Sequence, residues 1–222
     1  MTPLLVILGG INGAGKSSLA RQLAAAPNTA HLVFLDPDKI AAEVRQARPE
    51  LSLNAANFAG LRIVSERSAD CLARGQSFVT ETVLASVAHR QICEKAQANG
   101  WQVRLVYVGL PRVEDAIERV ALRVSKGGHD VPEADIRRRW ARTHENLAWF
   151  ARRADIVEVY GNAGWAVPPT QIARAVAGHV TLLDPDTLPA VTEALRRCCR
   201  HHIRRDTPTP MNFPRNMAAS HA

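Results

Sequence analysis

Short continuous hydrophobic runs alternate along this chain with longer stretches in which hydrophobic residues recur at helical spacing. The run Leu4–Leu8 is typical of a strand buried on both faces of a parallel sheet. Similar runs predict four more strands, at about residues 31–35, 76–80, 102–108 and 155–160. The stretches between them predict helices at about residues 17–25, 39–47, 55–73, 87–99, 113–124 and 133–151. This alternation indicates an α/β fold, with a five-stranded, mainly parallel sheet sandwiched by helices and joined by right-handed crossovers.

The C-terminal quarter of the chain has a weaker pattern. Residues 171–177 are predicted to form a short helix, 180–183 a short strand and 189–197 another short helix. From residue 201 the chain is polar, basic and punctuated by prolines. We therefore expect one domain over residues 1–200, followed by a disordered basic tail over residues 201–222.

Two of the long helices have apolar faces that we expect to be buried. In the helix at 55–73 this face consists of Phe58, Leu61, Ala69 and Leu72. In the helix at 133–151 it consists of Ile136, Trp140, Leu147 and Phe150.

The segment Gly10–Ser17 matches the phosphate-loop pattern G-x-x-x-x-G-K-[ST], and it follows an apolar strand and opens a helix, as that pattern requires. Glycines let backbone N–H groups surround an anion, and the N-terminus of the next helix carries partial positive charge. We expect Lys16 to bridge the β- and γ-phosphates of ATP, and the Ser17 hydroxyl to ligate Mg²⁺. The predicted nucleotide-binding residues are Asn12, Gly13, Ala14, Gly15, Lys16, Ser17 and Ser18. The alternative is a tight strand–helix turn that binds nothing.

Two aspartates follow the second strand. Ligands of open α/β sheets lie over the carboxyl ends of the strands, so Asp36 and Asp38 should face the phosphate loop. We expect Asp36 to hold Mg²⁺ through its waters, and Asp38 to be the base that deprotonates an acceptor hydroxyl. The alternative for Asp38 is the N-cap of a helix that begins at Lys39.

Glu81 and Thr82 end the third strand at the same edge of the sheet. A carboxylate and a hydroxyl there can bind the hydroxyl groups of a polyol or sugar, so we expect both residues to contact the substrate. The alternative is an ordinary loop glutamate.

Residues 119–142 are predicted to form a lid, with two helices joined by the glycine-bearing loop Lys126–Pro132. Arg119 and Arg123 lie four residues apart on one helical face. The transition state of phosphoryl transfer spreads negative charge over oxygens, which guanidinium groups on a closing lid would offset. The catalytic candidates are therefore Lys16, Asp38, Arg119 and Arg123. The run Arg137–Arg139 is either part of the lid site or a solvated basic face, and Arg139 lies nearer the apolar stripe.

Composition narrows the class of protein. The chain has 222 residues, of which 46% are hydrophobic and 22% charged, as in ordinary globular domains. Four cysteines form no C-x-x-C pair, which fits a reducing compartment, and Leu4–Leu8 is too short to cross a bilayer. We expect a cytoplasmic protein without a membrane partner. The net charge is +7, but six arginines follow residue 190, so the basic character lies partly in the tail and does not favour a nucleic-acid partner.

These residues resemble the zeta-toxin-like kinases, and in particular their short bacterial branch. The resemblance covers roughly residues 4–162 and rests on the segments 9–17, 34–38, 78–82, 123–132, 136–139 and 146–147. The lid string Arg123–Pro132 is its most specific part. The family has a parallel sheet of the nucleotide-kinase type, and zeta toxins phosphorylate a hydroxyl of a UDP-activated N-acetyl amino sugar, which blocks cell-wall synthesis.

The resemblance also assigns roles to individual residues. It implies that Lys16 and Ser17 hold the nucleotide and Mg²⁺, that Asp38 is the catalytic aspartate, and that Glu81 and Thr82 contact the sugar. Arg119 or Arg123 matches a lid arginine of the family. A second family arginine, just before a Thr-Pro, has His129 near its place here, and Arg137 is the neighbouring residue that we expect to replace it in binding substrate.

The sequence therefore predicts an ATP-dependent kinase of the P-loop class, with ATP and Mg²⁺ as cofactors. The acceptor is a hydroxyl of a small molecule, such as a sugar or the UDP-N-acetyl amino sugar of zeta toxins. Two other classes stay open: a nucleic-acid-directed P-loop kinase or ATPase, and a nucleotide-binding toxin or regulator without turnover. An antitoxin protein is a candidate partner.

Overall fold

The computed structural model of this protein describes residues 2–29, 31–164, 168–198 and 203–205. The strands are β1 (Leu4–Gly9), β2 (Val33–Leu35), β3 (Phe78–Thr82), β4 (Gln102–Gly109), β5 (Ile156–Gly161), β6 (Thr170–Val176), β7 (His179–Leu182) and β8 (Ile203–Arg205). The helices are α1 (Lys16–Ala25), α2 (Pro37–Ala47), α3 (Leu53–Arg74), α4 (Ala88–Ala98), α5 (Val113–Ser125), α6 (Glu133–Arg153) and α7 (Pro189–Cys198). No helix within these described ranges has the length and apolar character needed to cross a membrane.

All strands join one sheet in the order β2-β3-β1-β4-β5-β6-β7-β8. The first five strands of this order are parallel, which confirms the predicted α/β class. β1 lies between β3 and β4, so the chain changes direction across the sheet at β1, and a ligand crevice is expected at the carboxyl end of that strand.

The sheet is wider than predicted. β6 and β7 continue it beyond β5 in antiparallel orientation, and the short edge strand β8 pairs with β7. The sheet thus has seven strands plus β8, where five were predicted. Ile203–Arg205 lie in the segment predicted to be disordered, and residues 206–222 are outside the described part of the chain.

The prediction of a helix at 171–177 is wrong, because residues 171–176 belong to β6. The edge of β5 is available for pairing, and Ala177 (φ 48°) and Gly178 (φ 81°) form a two-residue hairpin turn into β7. This pairing outweighs the weak helical preference of the alanines. The predicted strand at 180–183 and helix at 189–197 are confirmed by β7 and α7.

The core fills both faces of the sheet. On one face the residues of β1, β4 and β5 pack against α3, α4, α7 and the C-terminal part of α6. On the other they pack against α1, α5 and Ile136 at the start of α6. Alternate residues of β1 serve the two faces, with Leu5 and Ile7 on the first and Val6 and Leu8 on the second.

The predicted apolar face of α3 is also wrong. Phe58 is 75% exposed and Leu61 56% exposed. The buried face consists instead of small or short side chains, namely Ala56, Gly60, Val64, Ser68 and Cys71. α2 packs closely against α3, and only small residues fit between two helices at that distance.

Candidate active site

The phosphate loop begins at the end of β1 and leads into α1. Gly10 has φ 143°, and a Cβ atom there would collide with the carbonyl oxygen of Val108 in β4, so only glycine allows this approach. α1 begins at Lys16 without a side-chain cap. Its first N–H groups and its dipole are therefore directed at the space above the loop, where an anion would bind.

Lys16, Ser17 and Glu81 meet at the base of this loop. The Ser17 hydroxyl donates a hydrogen bond to Glu81 Oε1 at 3.0 Å, and Lys16 Nζ lies 4.0 Å from the same oxygen. Lys16 Nζ also donates to the carbonyl oxygen of Ile11 at 3.2 Å. Glu81 Oε2 is buried and has no hydrogen-bond partner within the described residues. Glu81, predicted to contact substrate, thus lies beside the predicted metal ligand Ser17.

Burial controls the charges of this cluster. It lowers the pKa of Lys16, while the carboxylates of Glu81, Asp38 and Asp36 act to raise that pKa and the guanidinium of Arg123 lowers it further. Burial raises the pKa of Glu81, against the opposing effects of Lys16 and the Ser17 hydrogen bond. Residues from the first strand end, the second strand end, β3 and α5 therefore share one electrostatic site.

Asp36 and Asp38 have separate structural positions. α2 begins at Pro37, and Asp36 is its N-cap, because Asp36 Oδ1 accepts hydrogen bonds from the N–H groups of Asp38 and Lys39. The capping role considered for Asp38 belongs to Asp36. Glu81, and not Asp36, is the carboxylate that directly contacts Ser17. Asp38 is exposed in the first turn of α2 and close enough to Lys16 to act on its pKa.

Arg119 and Arg123 line the site from α5. The Cβ of Arg119 would lie 3.1 Å from a Cβ placed on Gly13 (φ 77°), so α5 packs directly against the phosphate loop. Arg119 donates to the carbonyl oxygens of Asn162 at 2.9 Å and Gly164 at 3.2 Å. Arg123 donates to the carbonyl oxygen of His129 at 2.6 Å, and its Nε is buried without a partner among the described residues.

A cavity of about 340 Å³ opens beside these arginines. Its walls come from α5 and the loop that follows, and they consist of Arg119, Leu122, Arg123, Lys126 and Gly128. Three cationic side chains around one cavity make it suited to an anionic ligand.

Arg137 is not brought to the site. Its guanidinium binds Glu133 at 2.8 Å and Glu114 at 3.0 Å on the outer surface of α6 and α5. Arg139 takes the inward position instead and donates to Asn12 Oδ1 in the phosphate loop at 3.1 Å. Glu114 of α5 can bind Arg137 only once α5 and α6 have packed, and this ion pair keeps Arg137 on the outer surface.

Thr82 is held by its neighbours. Its Oγ1 accepts a hydrogen bond from the N–H of Leu84 at 2.9 Å and lies 3.3 Å from Nδ1 of His89. Burial lowers the pKa of His89 to about 4, so the ring is neutral at pH 7 and its Nδ1 can accept a hydrogen bond from the Thr82 hydroxyl. Ser18 is exposed and accepts from Arg21 at 3.3 Å, on the first turn of α1.

Some site residues had no predicted role. Asn162, which follows β5, donates from its Nδ2 to the carbonyl oxygen of Ala14 at 2.9 Å and so supports the phosphate loop. Thr143 and Asn146 on α6 bind the turn after β3. The sequence could have indicated Asn162, because a polar residue directly after a parallel strand lies at the ligand edge of the sheet.

Comparison with known proteins decides the family. The model of the family described as zeta toxin matches residues 1–167. This chain belongs to the zeta toxin family. A protein from Haemophilus influenzae described as uncharacterized is 28% identical over 131 residues, covering 59% of this chain and 88% of that protein.

Several solved structures have folds similar to that of this zeta toxin family member. The AvrRxo1-ORF1:-ORF2 structure with ATP matches with a TM-score of 0.69 at 16% identity over 86% of this chain, which spans 64% of the length of that chain. The PezAT toxin–antitoxin system of Streptococcus pneumoniae matches at 0.57, with 16% identity over 72% of this chain and 68% of that one. A putative kinase from Chloroflexus aurantiacus matches at 0.50, with 18% identity over 62% of this chain and 77% of that one. The fold is that of the P-loop kinases, and the family and fold together support a phosphotransferase.

Proposed function

We propose that this protein is a kinase that transfers the γ-phosphoryl group of ATP to a hydroxyl group of a small molecule. The observation that carries the proposal is the junction of Lys16, Ser17 and Glu81 under the phosphate loop, with Asp38 and Arg123 close enough to change the pKa of Lys16. A phosphate grip, a candidate base and a lid cation are the parts that phosphoryl transfer requires.

Each of these residues would have its own role in phosphoryl transfer. The loop N–H groups and Lys16 would bind the β- and γ-phosphates, and Asp38 would accept the proton of the acceptor hydroxyl. The acceptor oxygen then forms a bond to the γ-phosphorus as the bond to the β–γ bridging oxygen breaks, and ADP leaves with that electron pair. Arg123 and Arg119 would offset charge on the transferring oxygens, since Arg119 lies against Gly13 of the phosphate loop and Arg123 is close enough to lower the pKa of Lys16.

The donor set beside Lys16 fits magnesium. Mg²⁺ prefers oxygen ligands, and the Ser17 hydroxyl and the Glu81 carboxylate with its unpartnered buried Oε2 provide them at one place. A bound Mg²⁺ would neutralise charge on the β- and γ-phosphate oxygens. Asp36, bound to the start of α2, is a more remote contributor.

The acceptor is proposed to be a sugar or nucleotide sugar. Glu81 and Thr82 supply hydrogen-bonding groups at the end of β3, and membership of the zeta toxin family supports a UDP-N-acetyl amino sugar. An antitoxin partner is likewise a proposal, supported by the AvrRxo1-ORF1:-ORF2 complexes and by PezAT among the similar structures.

The proposal is tested by Asp38→Asn with an acceptor screen. Wild-type protein with Mg·ATP should release ADP faster in the presence of one member of a panel of sugars, nucleotide sugars and nucleosides. Asp38→Asn should lower the acceptor-dependent rate by about 10²- to 10⁴-fold, because it removes the base, while Mg·ATP affinity stays within about threefold. Glu43→Gln, exposed on the same helix, is the matched control and should behave as wild type. An Asp38→Asn variant with wild-type turnover would refute the assignment of the base.

A further inference from the structure

The turn after β3 contains a residue in an unfavourable backbone conformation. Leu84 has φ 59°, in the left-handed region, and its side chain is fully buried. A non-glycine residue there is strained and persists only where its surroundings hold it. Such residues concentrate at functional sites, and Leu84 lies three positions after Glu81.

Two side chains of α6 hold this turn. Asn146 Nδ2 donates to the carbonyl oxygen of Leu84 at 2.7 Å, and Thr143 Oγ1 donates to the carbonyl oxygen of Val83 at 3.0 Å. The N–H of Leu84 donates to Thr82 Oγ1. Thr143 and Asn146 are 0% and 4% exposed, so these bonds are not exchanged with water.

The orientation of Asn146 is itself fixed. Arg90 Nε donates to Asn146 Oδ1 at 2.6 Å, and the Arg90 guanidinium lies 5.4 Å from the ring centroid of Trp149. Because Oδ1 accepts from Arg90, the amide must present its NH₂ group to Leu84.

The same helix face reaches the phosphate loop. Arg139, one turn before Thr143, donates to Asn12 Oδ1. Residues 139, 143 and 146 follow helical spacing along one side of α6. One rigid element therefore bonds both to the loop that would hold ATP and to the turn that directly follows Glu81 and Thr82.

We propose that Asn146 and Thr143 are positioning residues for the phosphoryl transfer proposed above. They hold Leu84 in its left-handed conformation and so fix the Thr82 side chain, whose Oγ1 accepts a hydrogen bond from the Leu84 N–H, beside the phosphate loop. If Leu84 relaxed, the backbone after Thr82 would rotate, and the Thr82 hydroxyl would lose its hydrogen bond from the Leu84 N–H and turn away from the substrate side, while Glu81 would stay paired with Leu8 of β1. The affinity for the nucleotide phosphates would be retained, because Lys16 and the loop N–H groups do not depend on this turn.

The test uses isosteric changes on α6. Asn146→Asp keeps the acceptor for Arg90 and removes the donor to Leu84, Thr143→Val removes the hydroxyl, and Thr143→Ser restores it. Glu145→Gln, exposed on the same helix turn, is the control. Each full-length variant is measured for hydrogen–deuterium exchange, Mg·ATP affinity, and ADP release from Mg·ATP with water or the best panel acceptor.

We expect Asn146→Asp and Thr143→Val to speed exchange of the amides at 82–87 by about tenfold, without a change in β1. Their kcat should fall by about tenfold or more while the Mg·ATP affinity stays within about threefold. Thr143→Ser should recover most of both effects, and the control should match wild type.

Unchanged exchange at 82–87 would overturn the proposal, and so would faster exchange with unchanged kcat. Should Asn146→Asp fail to fold, the comparison of Thr143→Val with Thr143→Ser decides the question. A wild-type chain that binds Mg·ATP but never turns it over contradicts the proposed function; the exchange measurements then still decide whether α6 holds the turn.

Discussion

His144 shows how burial controls the charge of a side chain near the site. It packs edge-on against Trp140, with 4.7 Å between ring centroids, and lies near Tyr107 of β4. Burial lowers its pKa to about 4, well below the 6.5 of an exposed histidine. The unfolded chain therefore takes up this proton first as the pH falls, so the stabilising contribution is present above pH 6.5 and is lost toward pH 4.

We predict that His144 makes the fold acid-sensitive. Between pH 7 and pH 5, titration of this residue should remove about 2 kcal/mol from the free energy of unfolding. Urea unfolding at both pH values would measure it, and His144→Gln should lose correspondingly less stability over that interval. His31→Gln is the control for the substitution itself, at an exposed site. Equal pH dependence in wild type and His144→Gln would show that the ring is not buried in its neutral form.

The packing of α2 on α3 places Asp38. A Cβ on Gly60 of α3 would lie 3.0 Å from the Ala41 nitrogen and 3.1 Å from the Pro37 carbonyl oxygen. Both atoms belong to the first turns of α2, the part that carries Asp38. The close crossing of the two helices therefore fixes the candidate base relative to the end of β2.

We predict that Gly60→Ala displaces Asp38 by a few tenths of an ångström and lowers kcat by about threefold to tenfold, because transfer depends strongly on the position of the base. Mg·ATP affinity, measured by calorimetry, should hardly change, because the close neighbours of a Cβ on Gly60 belong to α2 and not to the phosphate loop. Alanine is the better helix former, so any loss arises from the contact and not from helix propensity. Ser65→Ala, on the exposed side of α3, is the control. Adding Ala41→Gly to Gly60→Ala removes one close neighbour and should restore part of kcat; full activity in the single variant would contradict the argument.

The molecule as a whole brings its candidate site residues together at the ligand edge of the sheet. The segments after β1, β2, β3 and β5 supply the phosphate loop, Asp38, the held turn and Asn162 respectively. Both faces of the sheet are filled, so this edge has rigid support. A ligand bound to all of these segments at once should stabilise the entire fold.

We predict that Mg·ATP raises the melting temperature. At a hundredfold excess over Kd the gain is about 2.7 kcal/mol, which corresponds to roughly 5–10 °C for a domain of this size. Lys16→Ala should abolish most of the shift, whereas Lys95→Ala, exposed on α4, should retain it. Differential scanning fluorimetry with and without Mg·ATP would measure both. An unshifted wild type would mean that the loop is a strand–helix turn that binds no nucleotide.

The sequence predicted the parallel strands and the phosphate loop because both depend on short-range patterns. It did not predict features that depend on a distant partner. Phe58 and Leu61 were expected in the core, but the face of α3 that meets α2 must be built from small residues such as Gly60. The alanine-rich segment of β6 predicts a helix, because its own sequence carries no sign of the pairing with β5.

The lid arginines show the same limit. The sequence places Arg139 nearer the apolar stripe than Arg137, but the ion pair of Arg137 with Glu114 of α5 depends on the packing of two helices. Glu81 was predicted at the sheet edge, yet its contact with Ser17 requires the pairing of β1 with β3. The sequence thus names residues that the fold brings together, but not the contacts between them.

The anchoring of α6 restricts how the site can open. The helix is bonded at Arg139, Thr143 and Asn146, and α7 packs along it. A swing of α6 as a rigid body would break these contacts together. The conformational excursion that admits substrate should therefore be confined to the end of α5 and the seven residues Lys126–Pro132, where Gly127 has φ 81°. Such an opening would have small amplitude, which agrees with the small-molecule acceptor proposed above.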